Sequence, residues 1–201
     1  KIKYNFGLSA QQVSTFLQFK FQYSKTDAFI SANFTNTSFQ RDGQFLNQSY
    51  QSNSLGKSER LAFNNLGFKA GLNYRFIPSS SFQLNAAYIT KAPTIQNSFI
   101  NIRENNALVP NLVSEKIISA DVSYLVNTPK FQSRLTGYFT NFKDGITVNS
   151  FFAEIGSGAD FFQEVITDID KRHFGLELGI ECELIPNLKG SVVAALGQHT
   201  Y

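Results

Sequence analysis

The sequence predicts an all-β chain, an antiparallel up-and-down transmembrane β-barrel segment of about 8–10 strands. Two observations carry this. Stretches of alternating apolar and polar residues recur along the chain, and from Asn65 to Tyr201 they are joined in turn by tight turns and long polar loops. Short connections on one membrane side and long ones on the other are the habit of a membrane barrel. The stretches are also long: most reach the roughly 9–11 tilted residues needed to cross a bilayer, against roughly 5–6 in a globular strand.

The first hairpin is predicted about Ser24–Asp27, between strands Val13–Tyr23 and Asp27–Phe39. It sets Tyr23 against Ala28, Phe21 against Ile30 and Phe19 against Ala32, with Gln18, Lys20 and Gln22 facing away. The second joins Asn65–Phe76 to Phe82–Thr90 through Ile77–Ser81. Phe68, Ala70, Leu72, Tyr74 and Phe76 take one face and Lys69, Gly71, Asn73 and Arg75 the other, because successive strand side chains point opposite ways. Folding about the turn matches Phe76 with Phe82, Tyr74 with Leu84 and Leu72 with Ala86.

The third hairpin joins Lys116–Val126 to Phe131–Phe142 about Asn127–Lys130, setting Val126 against Phe131 and Val122 against Leu135, with Asp121 and Arg134 on the opposite face. The fourth joins His173–Leu184 to Leu188–Thr200 about Ile185–Asn187. There the face Phe174, Leu176, Leu178, Ile180, Cys182 and Leu184 meets Leu188, Val192, Ala194 and Leu196. Glu177, Glu181 and Glu183 share the other side, where three carboxylates call for water. Aromatic rings beside the tight turns (Tyr23, Tyr74, Phe76, Phe82 and Phe131) suit an interfacial girdle.

The long connections Gln40–Asn64, Lys91–Glu115 and Lys143–Arg172 then fall on one side, the cell exterior for this class of barrel. Within the last, Gly145–Phe151 and Phe161–Asp170 are expected to pair above the membrane. Lys1–Gln12 reads as the end of a preceding strand, and the ends at Lys1 and Tyr201 as cuts in a longer chain.

Composition sets limits. The chain has 201 residues, 21 Phe and 8 Tyr, no Trp or Met, and a formal net charge of +3. No stretch approaches the roughly 18 consecutive apolar residues of a membrane-spanning helix; this does not exclude the membrane, because barrel strands hide half their hydrophobicity by alternation. No basic cluster with interleaved aromatics points to nucleic acid. With Cys182 alone, an internal disulfide is impossible, and no residue pattern calls for a cofactor.

Several stretches resemble the TonB-dependent outer-membrane receptors, in particular the C-terminal part of their β-barrel. They are Phe68-Lys69-Ala70-Gly71-Leu72-Asn73-Tyr74, Ala86-Ala87-Tyr88-Ile89-Thr90-Lys91-Ala92-Pro93, and Asn106-Ala107-Leu108-Val109-Pro110 followed by Ser114-Glu115-Lys116. Tyr138-Phe139-Thr140-Asn141-Phe142-Lys143-Asp144-Gly145-Ile146 and His173-Phe174-Gly175-Leu176-Glu177-Leu178 complete the set. Lys91 stands where the family has Arg, and Asn111 follows Pro110 where the family has Glu. The resemblance implies a segment of a barrel of about 22 strands closed by an N-terminal plug. It further implies residence in the outer membrane of a Gram-negative bacterium, and import of an extracellular small molecule, glycan or peptide with energy delivered by TonB. The expected partners are outer-membrane lipid, the rest of the barrel and plug, and TonB through an N-terminal part absent from these 201 residues.

The candidate ligand-facing residues are those of the polar, lumen face: Lys69, Asn73, Arg75, Glu177, Glu181 and Glu183. The register about Ile185–Asn187 also places His173 opposite His199 near the exterior mouth, where paired imidazoles are candidate metal ligands. Asp168, Asp170 and His173 have the residue types of general-base chemistry, but no nucleophile accompanies them and no enzyme is predicted. Two other functions share the alternation: a passive porin or adhesive barrel, and a soluble β-sandwich whose apolar faces pack sheet on sheet.

Overall fold

The computed structural model describes residues 4–155 and 158–201, and side chains outside 155–160. Among the described residues nine strands form one antiparallel sheet: β1 Phe6–Tyr23, β2 Thr26–Gly43, β3 Gly56–Lys57, β4 Leu61–Ile77, β5 Ser80–Lys91, β6 Glu115–Asn127, β7 Phe131–Ile155, β8 Gly158–Ile185 and β9 Leu188–Thr200. Each long strand pairs with its neighbours in chain order, and the two-residue β3 pairs beside β2. This is up-and-down topology, a segment of barrel wall.

Exposure along the strands is inverted relative to a soluble sheet. On β5, Phe82, Leu84, Ala86 and Tyr88 are exposed while Gln83, Asn85 and Ala87 between them are half-buried. On β6, Ile118, Ala120 and Val122 are exposed, whereas Ser119 and Asp121 are half-buried and Ser123 is fully buried. A curved sheet crowds side chains on its concave face and spreads them on its convex face. The polar face is therefore concave and the apolar face convex, as a wall with lipid outside and water inside requires. Among the described residues all the strands belong to one sheet, not to the two packed sheets of the sandwich alternative.

Every expected strand is present, but registers and ends differ. At the first hairpin Tyr23 pairs with Thr26, Phe21 with Ala28 and Phe19 with Ile30, because the chain turns in only Ser24–Lys25, with Ser24 at φ 47°. At the second, Tyr74 pairs with Phe82 and Leu72 with Leu84, and a bulge between Arg75 and Ile77 absorbs the odd residue. At the third, Val126 pairs with Ser133 and Val122 with Gly137, since the Thr128 hydroxyl bonds Phe131 and holds the turn one residue later. Each is a slip of two, and two is the side-chain period, so every face stays as expected. The fourth hairpin has the expected register, Leu176 against Leu196 and Leu178 against Ala194.

Two expectations about chain segments are corrected. Residues 6–12 do not end a preceding strand; they begin β1 and pair with β2, Gln12 opposite Thr37 and Phe6 opposite Gly43. Of the expected long connection Lys143–Arg172, the described residues 143–155 and 158–172 form the outer half of β7 and β8, paired apart from irregularities between Phe142 and Thr147. The expected pairing of Gly145–Phe151 with Phe161–Asp170 is present, from Gly145 opposite Ile169 to Phe151 opposite Phe162.

The buried apolar side chains among the described residues are Phe39, Phe99 and Val109, and all sit at the loop end of the sheet. Residues 44–60 and 92–114 fold there into a cap. It holds one-turn 3-10 helices at Gln48–Tyr50 and Gln96–Ser98 and a bridge between Phe99 and Leu108. Asn106 N donates to Asn53 O at 2.7 Å, tying one connection to the other.

Candidate functional site

Two parts of the concave side bring functional side chains together: the polar wall and the cap above it. On the wall, register partners across β5, β6, β7, β8 and β9 are Asn85, Asp121, Tyr138, Gly175 and Gly197. Asn85 Nδ2 donates to Asp121 Oδ1 at 2.9 Å. The glycines make room for the Tyr138 side chain to lie across the two following strands: a Cβ at Gly175 would stand 2.8 Å from its hydroxyl, and one at Gly197 2.9 Å. Phe29 does the same over Gly71 on the other side of the row. Beside Tyr138 an open hollow of about 740 Å³ is bordered by Asn85, Asp121, Arg134, Thr136 and Glu177. It offers hydrogen-bond donors, acceptors and both signs of charge around one aromatic ring.

The predicted lumen residues all lie on this face but do not form one site. At the turn end, Arg75 Nη1 meets Asp27 Oδ2 at 2.9 Å, and Asn73 Nδ2 lies 3.5 Å from the same oxygen. Glu181 Oε1 pairs with Lys189 Nζ at 2.9 Å, and Glu183 is the register partner of Lys189. Glu177 stands alone at mid-strand between Thr136 and Ala195, on the hollow, and Lys69 faces Ser31 and Ala87. The three carboxylates are thus divided: two belong to an ion-paired group at the turn and one to the hollow.

His173 and His199 are register partners at the loop end, with ring centroids 4.4 Å apart and planes at 79°. The Phe142 ring packs 5.4 Å from His173, and His173 Nε2 is buried without a hydrogen-bond partner. Among the described residues no group of three or more His, Cys, Asp or Glu is placed to hold a metal ion, so the pair brings two ligands at most. Asp168 and Asp170 lie on the outer half of β8.

Arg41 is the residue that sequence reasoning missed. It lies on the concave side near the end of β2, is 1% exposed, and organises the cap. Its Nε donates to Ile102 O at 2.7 Å, Nη1 to Ser54 O at 3.2 Å and to Asn106 Oδ1, and Nη2 to Arg103 O at 3.3 Å. The Phe6 ring covers the guanidinium, 5.1 Å from Cζ to centroid. No carboxylate forms a salt bridge with it among the described residues, and burial pushes its pKa down, only partly offset by Asp42. Arginine suits this position because its fork reaches several oxygens at once and it tolerates partial dehydration better than an ammonium. In sequence Arg41 is one charge in a polar stretch; its acceptors lie 13 to 65 residues away.

The comparisons with known proteins agree with this architecture. Residues 2–196 match the family described as TonB dependent receptor-like, beta-barrel. Among solved structures the chain is similar to a protein titled copper transporter OprC, with a TM-score of 0.72 and 16% identity, over 95% of this chain and 29% of that one. It is also similar to the siderophore receptor PirA from Pseudomonas aeruginosa, with a TM-score of 0.56 and 12% identity, over 97% of this chain and 43% of that one. No curated protein matches in sequence. The chain spans less than half the length of either solved structure, and at these identities the likeness is one of fold. Members of the matched family are outer-membrane proteins of Gram-negative bacteria and transporters rather than enzymes. A match over nearly the whole length, joined to a single up-and-down sheet with its apolar face outward, establishes that this chain belongs to the TonB-dependent receptor β-barrel family.

Proposed function

We propose that this chain is wall and mouth of an energised importer, a receptor that binds an extracellular ligand and moves it inward with energy supplied through TonB. The observation that carries this reading is the inverted wall. A convex apolar face and a concave polar face, capped at the loop end by a folded pair of connections, fit a ligand route through a membrane better than any soluble arrangement. In this reading the cap makes first contact, because function concentrates on loops held by a rigid scaffold. The ligand then passes the polar wall with its hollow beside Tyr138 and Glu177. The plug and remaining strands would complete the route, and TonB would act through the plug.

Uptake by cells carrying the full-length receptor tests it. A labelled ligand should bind with or without TonB but enter only when TonB is present and the inner membrane is energised. Entry at the same rate without TonB would make the protein a passive porin and defeat the proposal. The His173–His199 pair serves in this reading as a contact for a metal-containing ligand, and replacing either imidazole should weaken uptake of such a ligand while leaving metal-free ligands unaffected.

A further inference from the structure

Above Lys143 the β7–β8 hairpin leaves the wall. β6 stops pairing with β7 at Lys116 opposite Lys143, and beyond that row β7 pairs with β8 alone, from Gly145 opposite Ile169 to Ile155 opposite Gly158. At about 3.3 Å per residue this ribbon rises about 33 Å.

Its β7 edge already takes an amide. The Asn97 side chain, from the cap, donates through Nδ2 to Ile146 O at 2.8 Å and accepts through Oδ1 from Val148 N at 3.4 Å. A carboxamide has the donor and acceptor of a peptide unit, so Asn97 sits on the edge as one residue of a neighbouring strand would. Alternate residues of an antiparallel strand present N–H and C=O to the same side, which aims Ser150 and Phe152 the same way as Val148. Both are exposed, and among the described residues no backbone bond outside the sheet involves either.

The ribbon's side chains select what pairs there. Between Lys143 and Lys171 the sequence has Asp144, Glu154, Asp160, Glu164, Asp168 and Asp170 and no Lys, Arg or His. Among the described residues only Asp144 of these meets a cation, Lys116 at 2.8 Å. Between the carboxylates lie two ring pairs, Phe151 with Phe162, centroids 6.0 Å apart, and Phe152 with Phe161 at 5.2 Å. Successive residues point opposite ways, so each face of the ribbon carries one pair, with Phe152 56% and Phe161 66% exposed.

We propose that β7 from Val148 to Glu154 takes an extended cationic peptide as an added strand, continuing the edge contact that Asn97 begins. Main-chain bonds to Ser150 and Phe152 give such a strand its affinity, and its alternate side chains give selectivity. Arg and Lys of the peptide meet Glu154 and Glu164 and lie over the exposed rings, whose faces attract a cation. An acidic peptide finds the same backbone bonds and meets repulsion instead. This gives the receptor proposed above a ligand class and rests on that reading for its place outside the cell; binding itself requires neither TonB nor import.

The test is fluorescence anisotropy on full-length receptor in micelles, without TonB. The probes are a labelled decapeptide alternating Arg and Thr, its counterpart with Glu for Arg, and the Arg peptide methylated at every backbone nitrogen. The Arg peptide should bind, and the other two at least about tenfold more weakly, since one has lost the charge match and the other its donors. Ser150→Pro removes an edge N–H where a strand tolerates proline, and should weaken the Arg peptide about tenfold. Glu154→Gln/Glu164→Gln should do so by about tenfold at low salt and much less at high salt. A methylated peptide that binds as tightly as its parent would reduce the contact to charge attraction and overturn the proposal. Equal binding of the Glu peptide would overturn it too, without recourse to any variant. If Ser150→Pro instead abolishes self-association in light scattering and leaves peptide binding unchanged, the edge joins two copies of the receptor and the proposal fails. Entry is not read in this assay, so a passive barrel fails the import test and still passes this one.

Discussion

The barrel wall and the cap solve the same chain's folding problem by opposite means. The wall buries almost no apolar side chain: on its convex face Leu17 is 58% and Leu196 76% exposed, and its cohesion is backbone pairing along eight long strands. Lipid supplies the apolar surroundings that a core would supply in water. The cap stands in water and must make its own interior, which it does with Phe99 and Val109, buried Ser54, Ser98 and Asn105, and the Arg41 fork. One region is stable only where its outside is greasy; the other is a small soluble fold set on a membrane scaffold. The difference teaches where specificity can change cheaply, since the cap can be rebuilt without touching the pairing that closes the barrel.

That contrast can be broken or sharpened by substitution. Arg41→Ala should have the largest effect, removing about 3–5 kcal/mol from the cap because several buried acceptors lose a charged donor together. Hydrogen exchange at residues 44–60 and 92–114 should accelerate while thermal unfolding of the barrel stays in place; a barrel that melts earlier would show the two regions to be one cooperative unit. Phe99→Ala should act on the same segments by about 3 kcal/mol through the cavity it leaves. Leu72→Arg should do the reverse, costing the wall about 2–4 kcal/mol in refolding into lipid vesicles while the neighbouring Asn73→Arg costs much less. Equal costs at these adjacent positions would reverse or abolish the assignment of faces. Arg75→Ala should be the smallest, below about 1 kcal/mol in the same assay, because its pair with Asp27 is half exposed.

Much of the wall was legible in the residues because its signal is local. A run such as Phe82, Leu84, Ala86 and Tyr88 states its own orientation, and the Glu177 face of β8 declares itself without knowledge of any partner. The His173–His199 pairing was legible too, since the turn at Ile185–Asn187 has the length the alternation implies. The candidate site was legible only as a face. That Glu181 belongs to Lys189, that Glu177 borders a hollow, and that Tyr138 crosses Gly175 and Gly197 depend on which strand lies beside which and at what offset.

By itself, then, the amino-acid order determined parity: which residues face lipid and which face the lumen, and which connections share a side. Parity has a period of two, so it survives the two-residue slips at Ser24–Lys25, Pro78–Ser79 and Thr128–Lys130, and for the same reason it cannot detect them. Turn geometry decided those registers. The pairing of Gly145–Phe151 with Phe161–Asp170 was also expected from the sequence; tertiary structure alone decided that it joins the membrane strands with irregularities only between Phe142 and Thr147, and that Arg41 is buried rather than solvated. Its partners come from two connections far apart in sequence, and they meet only because pairing of β2, β4 and β5 sets both connections over one edge of the wall.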